Sequence, residues 1–423
     1  AMKEHMSKLQ ADFETSYGNN SPWETNSKLL ERAISKLDQV KKYKDQGLSE
    51  KQIKDSLNIK RPTDVFSWKG DTIKNISTID SLKHYLKFLN TGMLSVEPTT
   101  GAVRAYVGGI DYRYFKYDHI SQSERQVGST FKPFVYTAAI NNDLNPCTYF
   151  SLNKVTYTNY DDWTPTNSGS DEEDPYTNYT LENALSNSVN TISVKVLETV
   201  GIPKVLEQVE KLGILKKLPN EPSLALGVAE ISLKDLTGAY ASYLNKSKAV
   251  TPYYITKIED KSGNVIATFK PEISNEQAYS DYTRQVLLEM MKSTVNKGTA
   301  SRLRSTYGLK NDIAGKTGTT QNNKDGWFVG LTPNLVTITW VGNDNHSIGF
   351  KSTGMGQGAN SALPIFAKFY QKLNKDSDYK LITRAQFEKP SEQVLSDLDC
   401  EPTKRDGFIK RLFKKKEKKK KFN

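Results

Sequence analysis

Two β-hairpin patterns stand far apart in this chain, with helical sequence between them. In the first, Met93-Leu94-Ser95-Val96 and Val103-Arg104-Ala105-Tyr106-Val107 flank the turn Pro98-Thr99-Thr100-Gly101. In the last, residues 326–331 and 335–341 flank Thr332-Pro333-Asn334, and a middle hairpin at 255–269 turns at Lys261-Ser262-Gly263. Residues 131–140, 180–200, 203–212, 232–244 and 281–295 read as helices. Strands that open and close a domain meet only if the sheet pairs segments remote in sequence. The expected fold class is therefore α+β, an antiparallel sheet flanked by helices and joined to a mostly helical subdomain.

Three parts are expected along the chain. Residues 1–81 form a helical linker or pedestal. Leu29, Ala33, Leu37 and Val40 recur at helical spacing within 27–43. Ser49 is placed as a helix N-cap, with Gln52 at the third helical position. Residues 82–390 form the main domain, and residues 391–423 a basic, disordered tail. No apolar stretch approaches the ~18 residues of a membrane span, and no secretion-signal pattern opens the sequence. Ala1-Met2 reads as a subcloning remnant, with natural sequence expected upstream.

The net charge of +11 invites a polyanionic partner, so its distribution decides. Residues 401–423 hold 11 Lys and Arg against three acids, a surplus of eight, and the other 400 residues carry a surplus of only three. A like-charge block of this kind is a solvated extension. No nucleic-acid partner is expected, and removing residues 404–423 is expected to leave the chemistry unchanged. Cys147 and Cys400 lie far apart in sequence; one disulfide between them is open, and two unrelated free thiols are the ordinary reading. The histidines His5, His84, His119 and His346 have no metal-ligand spacing, so neither a metal nor a cofactor is expected.

Three short motifs carry the chemistry. In Gly128-Ser129-Thr130-Phe131-Lys132-Pro133, proline is tolerated only in a first helical turn, which puts Ser129 at a helix N-terminus. The positive helix end favours an oxyanion there, and Lys132 lies one turn on, on the same face. A desolvated lysine with a lowered pKa can take a serine's proton. Taken alone, Ser-x-x-Lys is weak, since a capping serine and a surface lysine give the same pattern. In Ser186-Asn187-Ser188-Val189-Asn190, read as mid-helix, Ser188 offers a hydroxyl for proton relay and Asn190 a carboxamide for a substrate amide. In Lys316-Thr317-Gly318-Thr319-Thr320, glycine inside a strand marks close approach by another backbone, and the two threonines and the lysine suit a carboxylate. By strand alternation Lys316 points opposite Thr317 and must reach Ser188 from the other side.

In this order the three motifs are the signature set of the penicillin-recognising active-site-serine enzymes. The sequence resembles the transpeptidase domain of class A penicillin-binding proteins. The likeness extends to Arg125-Gln126-Val127 before the first motif, Asn183-Ala184-Leu185 before the second, and Gly298-Thr299-Ala300 and Asp325-Gly326-Trp327-Phe328-Val329-Gly330 around the third. It spans about residues 82–369. The family's glycosyltransferase pattern, Glu-Asp-x-x-Phe followed by His-x-Gly, is not found in this sequence.

The resemblance implies a penicillin-binding, serine β-lactamase-like fold and a peptidoglycan D,D-transpeptidase. Ser129 would be the nucleophile, acylated by a D-Ala-D-Ala stem peptide, and Lys132 the general base. Ser188, helped by Lys316, would pass a proton to the leaving amine, and Asn190 would orient substrate and Lys132. Thr317, Gly318 and Thr319 would line the substrate site, with the threonines on the terminal carboxylate. The N–H groups of Ser129 and Thr319 would form the oxyanion hole. The implied partners are stem peptides of lipid II-derived strands and β-lactam antibiotics. The implied location is the extracytoplasmic (periplasmic) face of the cytoplasmic membrane, in the cell envelope, with a glycosyltransferase domain and a membrane anchor upstream.

The rival readings are a serine β-lactamase, a D,D-carboxypeptidase and a non-catalytic β-lactam sensor. Class A β-lactamases carry Asp where this chain has Val189, and they are much shorter. Several other features get ordinary readings. Gly354-Met355-Gly356-Gln357-Gly358 is a loop near the site entrance, Asp161-Asp162-Trp163 and Asp171-Glu172-Glu173-Asp174 are solvated loops, and Trp327 is a core residue.

Overall fold

The computed structural model describes residues 1–168, 174–408, 411 and 417–422. Five strands form the central sheet: β1 (Leu89–Val96), β2 (Val103–Val107), β3 (Ala314–Thr319), β4 (Asp325–Thr332) and β5 (Leu335–Asn343). Their spatial order is β3-β4-β5-β1-β2, and every pairing is antiparallel. The expected long-range join is the one between β5 and β1, in register from Val336↔Val96 to Asn343↔Leu89. It brings the hairpin next to the lysine motif onto the first hairpin of the domain. β1, β4 and β5 are buried along their whole length. Strands covered on both faces read as near-continuous apolar runs rather than alternating ones.

Alternation still sorts the side chains between two cores. Leu94, Trp327, Val329, Ile338 and Trp340 face the helical subdomain. That subdomain is centred on α1 (Lys132–Asn141), which is buried from Lys132 through Ile140, as a helix apolar all round must be. Around it lie α2 (Leu181–Ser186), α3 (Asn190–Val200) and α4 (Asp281–Asn296). Met93, Phe328 and Val341 face the other way, against Phe366 and Tyr370 of α5 (Leu363–Lys375) and Phe13 of the first helix, Met2–Tyr17. No helix among the described residues is long and apolar enough to cross a membrane.

Four expectations differ from the structure. Residues 27–43 are two helices, Ser27–Ser35 and Asp38–Asp45, because Leu37 is extended between them. The first 81 residues hold a strand pair, Arg61–Val65 with Thr72–Ile76, beside their helices, whereas the cap at Ser49 forms as read, a full capping box with Gln52. The stretch 180–200 breaks into α2 and α3. Two short helices that share one apolar face keep the 3.6-residue period, so periodicity does not reveal the break.

The fourth difference is the C-terminal region. Cys147 and Cys400 form a disulfide rather than two free thiols. Thr403–Arg405 pairs antiparallel with Thr177–Tyr179, and Glu417–Lys420 pairs parallel with Lys154–Tyr157. These described parts of the tail are ordered strands, not a disordered extension. Acids elsewhere in the chain receive part of its charge: Arg405 meets Asp174 at 2.9 Å, and Lys420 meets Glu198 at 2.6 Å. The acidic residues Asp171, Glu172 and Glu173 lie outside the described residues.

Candidate active site

The three motifs converge on one cavity of about 890 Å³, which Ser129, Ser188, Asn190, Thr317 and Thr319 all line. Ser129 sits in the tight turn Gly128–Phe131 that leads straight into α1, with Pro133 in the first turn of that helix. The turn needs glycine at two places. Gly128 has φ 54°, and a Cβ there would stand 2.7 Å from the Thr319 carbonyl oxygen. Gly227 has φ 73°, and a Cβ there would overlap the Gly128 carbonyl oxygen at 1.9 Å. The Gly128 N–H donates to the Gly227 carbonyl at 2.9 Å.

Lys132 is fully buried. Its Nζ donates to the Ser188 carbonyl and to Asn190 Oδ1, both at 2.6 Å, and lies 3.3 Å from Ser188 Oγ. Asn190 is fixed from behind, its Nδ2 donating to the Thr166 carbonyl at 2.7 Å. Lys316 is also fully buried and donates to Ser188 Oγ and to the Thr317 carbonyl, both at 2.9 Å. The reach from Lys316 to Ser188 that the sequence leaves open is thus made.

No carboxylate pairs with either lysine among the described residues. Burial pushes Lys316 down to about 7, and burial together with the nearby Lys316 charge holds Lys132 well below the usual lysine range. The arrangement sets two buried amines, each holding its proton less tightly than an ordinary lysine, around one hydroxyl.

Ser188 has φ 58°, an uncommon conformation for a serine. It lies in the break between α2 and α3, which lets one residue offer its carbonyl and its hydroxyl to two different lysines. On β3, Thr317 Oγ1 meets Thr299 Oγ1 at 2.7 Å, and Thr319 Oγ1 accepts the Gly358 N–H at 3.1 Å. A Cβ on Gly318 would lie 2.7 Å from Thr130 Cγ2, so glycine lets the lysine strand close against the serine turn.

All eight residues singled out from the motifs belong to this site or its immediate support. Several participants carried no signal of their own. Thr166 shows only a backbone carbonyl to Asn190. Trp163, in a loop read as solvated, lines the cavity, while Asp161 and Asp162 beside it are exposed. The glycine-rich segment 354–358 is two short helices, Thr353–Gly356 and Gly358–Ser361, and Thr353 and Gln357 line the cavity. Trp327 is buried as expected, its Nε1 donating to the Gln126 carbonyl at 2.9 Å.

Comparison with known proteins gives the family. Residues 91–371 match the penicillin-binding protein transpeptidase domain, and residues 18–89 match the penicillin-binding protein middle domain. Penicillin-binding protein 1A of Neisseria lactamica is 35% identical over 291 residues, 66% of this chain and 35% of that protein. Penicillin-binding protein 1A of Aquifex aeolicus is 34% identical over 324 residues, 74% of this chain and 43% of that protein. The chain therefore spans well under half the length of these relatives. Among solved structures, penicillin-binding protein 1A of Haemophilus influenzae superposes with a TM-score of 0.64 at 25% identity, covering 76% of this chain and 51% of that one. The PonA1 protein of Mycobacterium tuberculosis, in complex with penicillin V, superposes at 0.60 and 22% identity, covering 86% of this chain and 96% of that one.

Proposed function

Since the chain belongs to the penicillin-binding protein transpeptidase family and carries a class A transpeptidase domain, we propose that it is a peptidoglycan D,D-transpeptidase with Ser129 as nucleophile. The observation that carries this reading is the meeting of two buried lysines, with no carboxylate on either among the described residues, on Ser188 Oγ beside the Ser129 turn.

The proposed reaction has two halves. In the first, the D-Ala-D-Ala end of a stem peptide lies extended along β3, the edge strand of the sheet. Thr317 and Thr319 hold its carboxylate, and Lys316 supplies positive charge nearby. Lys132 takes the Ser129 proton as Oγ attacks the penultimate carbonyl. The N–H groups of Ser129 and Thr319 stabilise the oxyanion, a contribution of ~3–4 kcal/mol per donor in serine hydrolases. The peptide C–N bond then breaks, and the departing D-Ala nitrogen gains a proton through Ser188. In the second half, an amine of a neighbouring stem attacks the ester. It loses a proton to Lys132, the C–O bond to Ser129 breaks, and Ser129 regains its hydrogen. One amide is broken and one is made, so no external energy source is needed.

The catalytic unit proposed is 82–390. The disulfide supports placement in an oxidising compartment, in line with the extracytoplasmic face of the cell envelope. An upstream glycosyltransferase domain and membrane anchor in the parent protein remain part of this proposal.

The test is a fluorescent penicillin. The expected result is a stable adduct that maps to Ser129. An adduct elsewhere, or none on folded protein, overturns the assignment. Release within seconds would indicate a β-lactamase. Turnover of a thioester stem-peptide mimic with an added amine separates a transpeptidase from a sensor, and hydrolysis without aminolysis would indicate a carboxypeptidase.

A further inference from the structure

The C-terminal strand Glu417–Lys420 lies far from the motifs in sequence but touches the same architecture from behind. It pairs in parallel with Lys154–Tyr157, and the pairing extends one step further as the Thr158 N–H donates to the Lys420 carbonyl at 2.9 Å. Phe422 follows and is 6% exposed, packed edge-on against Tyr157 at 5.3 Å and Tyr160 at 6.1 Å. Its backbone is held at both ends by Asn159, whose Oδ1 accepts the Phe422 N–H at 2.8 Å and whose Nδ2 donates to the Phe422 carbonyl at 3.2 Å. A solvated tail needs none of this. Burial of the Phe422 ring favours the docked strand over a solvated one.

Two routes lead from this strand to the site. Tyr157 donates its N–H to the Trp163 carbonyl at 2.9 Å and stacks on the Trp163 ring at 6.1 Å. Trp163 begins the run through Ser168 that walls the cavity, and Thr166 in that run accepts the Asn190 carboxamide. The second route is ionic: Lys420 meets Glu198, a residue of α3, the helix whose first residue is Asn190. Both routes end on the carboxamide that accepts a hydrogen bond from Lys132.

We propose that this C-terminal strand braces the acyl-transfer site, with Phe422 and Lys420 as positioning residues that hold the Trp163–Thr166 wall and α3 so that Asn190 stays on Lys132. The brace rests on the proposed acyl transfer at Ser129, since its readout is the rate of that step. A second tie, the disulfide between Cys147 and Cys400, returns the chain to the same side of the subdomain. Just after it, Thr403–Arg405 pairs with the strand that ends in Tyr179, another residue of the cavity wall. The C-terminal region thus touches the wall at two separate strands.

The experiment compares the full chain with a form ending at Lys416 and with Phe422→Ala and Phe422→Leu. Stopped-flow acylation by fluorescent penicillin gives the first-order acylation rate at saturation, and adduct stoichiometry gives the competent fraction. The brace predicts a roughly tenfold slower acylation rate per competent site in the truncated and Ala forms. It also predicts unchanged stoichiometry and recovery to within about threefold in Phe422→Leu. A rate unchanged within twofold overturns it. So does a loss confined to stoichiometry, which is what lowered stability alone would produce. Failure of the underlying reading looks different: the full chain itself would then carry no adduct on Ser129.

Discussion

Lysine is used in opposite ways in the two regions that meet around Asn190. In the candidate active site, Lys132 and Lys316 are fully buried and face hydroxyls, carbonyls and a carboxamide, with no carboxylate among the described residues. In the C-terminal strand, Lys420 is 44% exposed and sits on the Glu198 carboxylate, and Lys419 points at Asp162 from an exposed position. Burial without a counter-ion disfavours the charged form and yields an amine that can accept a proton. Exposure with a counter-ion keeps the charge and yields an adhesive contact of modest strength. The same residue type is a candidate base in one place and a fastener in the other, and only its surroundings decide which.

That contrast can be broken at several points. The largest effect is expected from Ser129→Ala, which should abolish the penicillin adduct while leaving the circular dichroism spectrum and melting temperature close to those of the parent. An adduct that survives would move the nucleophile elsewhere. Lys132→Met comes next. Loss of a positioned general base should slow acylation by about 10²–10⁴-fold, and Lys420→Met should not approach that figure. Equal losses from the two substitutions would erase the distinction between base and fastener.

Removing the disulfide with Cys147→Ser and Cys400→Ser together should cost stability instead. The bond spans a sequence separation of 253 residues, and chain-entropy arguments assign about 5–6 kcal/mol to a loop of this size. Denaturant titration measures it, and a loss under about 1 kcal/mol would show that the C-terminal region is held without it.

The buried lysines also set a pH dependence. Both titrate below the ordinary lysine value of ~10.4 when folded, Lys316 at about 7. Between pH 7 and 9 the unfolded chain therefore binds more protons than the folded one, and stability rises with pH across that window. Melting temperatures should climb from pH 7 to pH 9, and Lys316→Met should flatten the climb. A fall over the same window would mean that these lysines stay charged when folded. The smallest effect is expected from Lys420→Met alone. Breaking a half-exposed ion pair should cost about 1 kcal/mol or less by denaturant titration.

The same contrast explains what could be read from the sequence. Ser129, Lys132, Ser188, Asn190 and the 316–320 run announce themselves because their chemistry restricts residue type at fixed spacing. The hairpins and the helix that carries Lys132 announce themselves through turn residues and a continuous apolar run. Partners that act through the backbone leave no such trace. Thr166 contributes a carbonyl that any residue has, and the break at Ser188 is a single dihedral inside an unbroken helical period. The C-terminal strand was hidden for another reason. Its lysines look the same whether they face water or Glu198, and a tail rich in like charges is ordinarily solvated. The pairing of Cys147 with Cys400 rests on tertiary proximity that spacing does not encode.

β3 hydrogen-bonds to the sheet along one side only. Its other side must stay unpaired for an extended peptide to lie there, and an unpaired edge is also what makes sheets join one another and precipitate. In this protein Thr317 and Thr319 of that strand line a cavity that the run beginning at Trp163 also lines. We expect the wall formed by residues 163–168 to have a colloidal role as well as a chemical one. Preparations that lose it should become prone to aggregate, and a small covalent inhibitor seated along β3 should keep them dispersed.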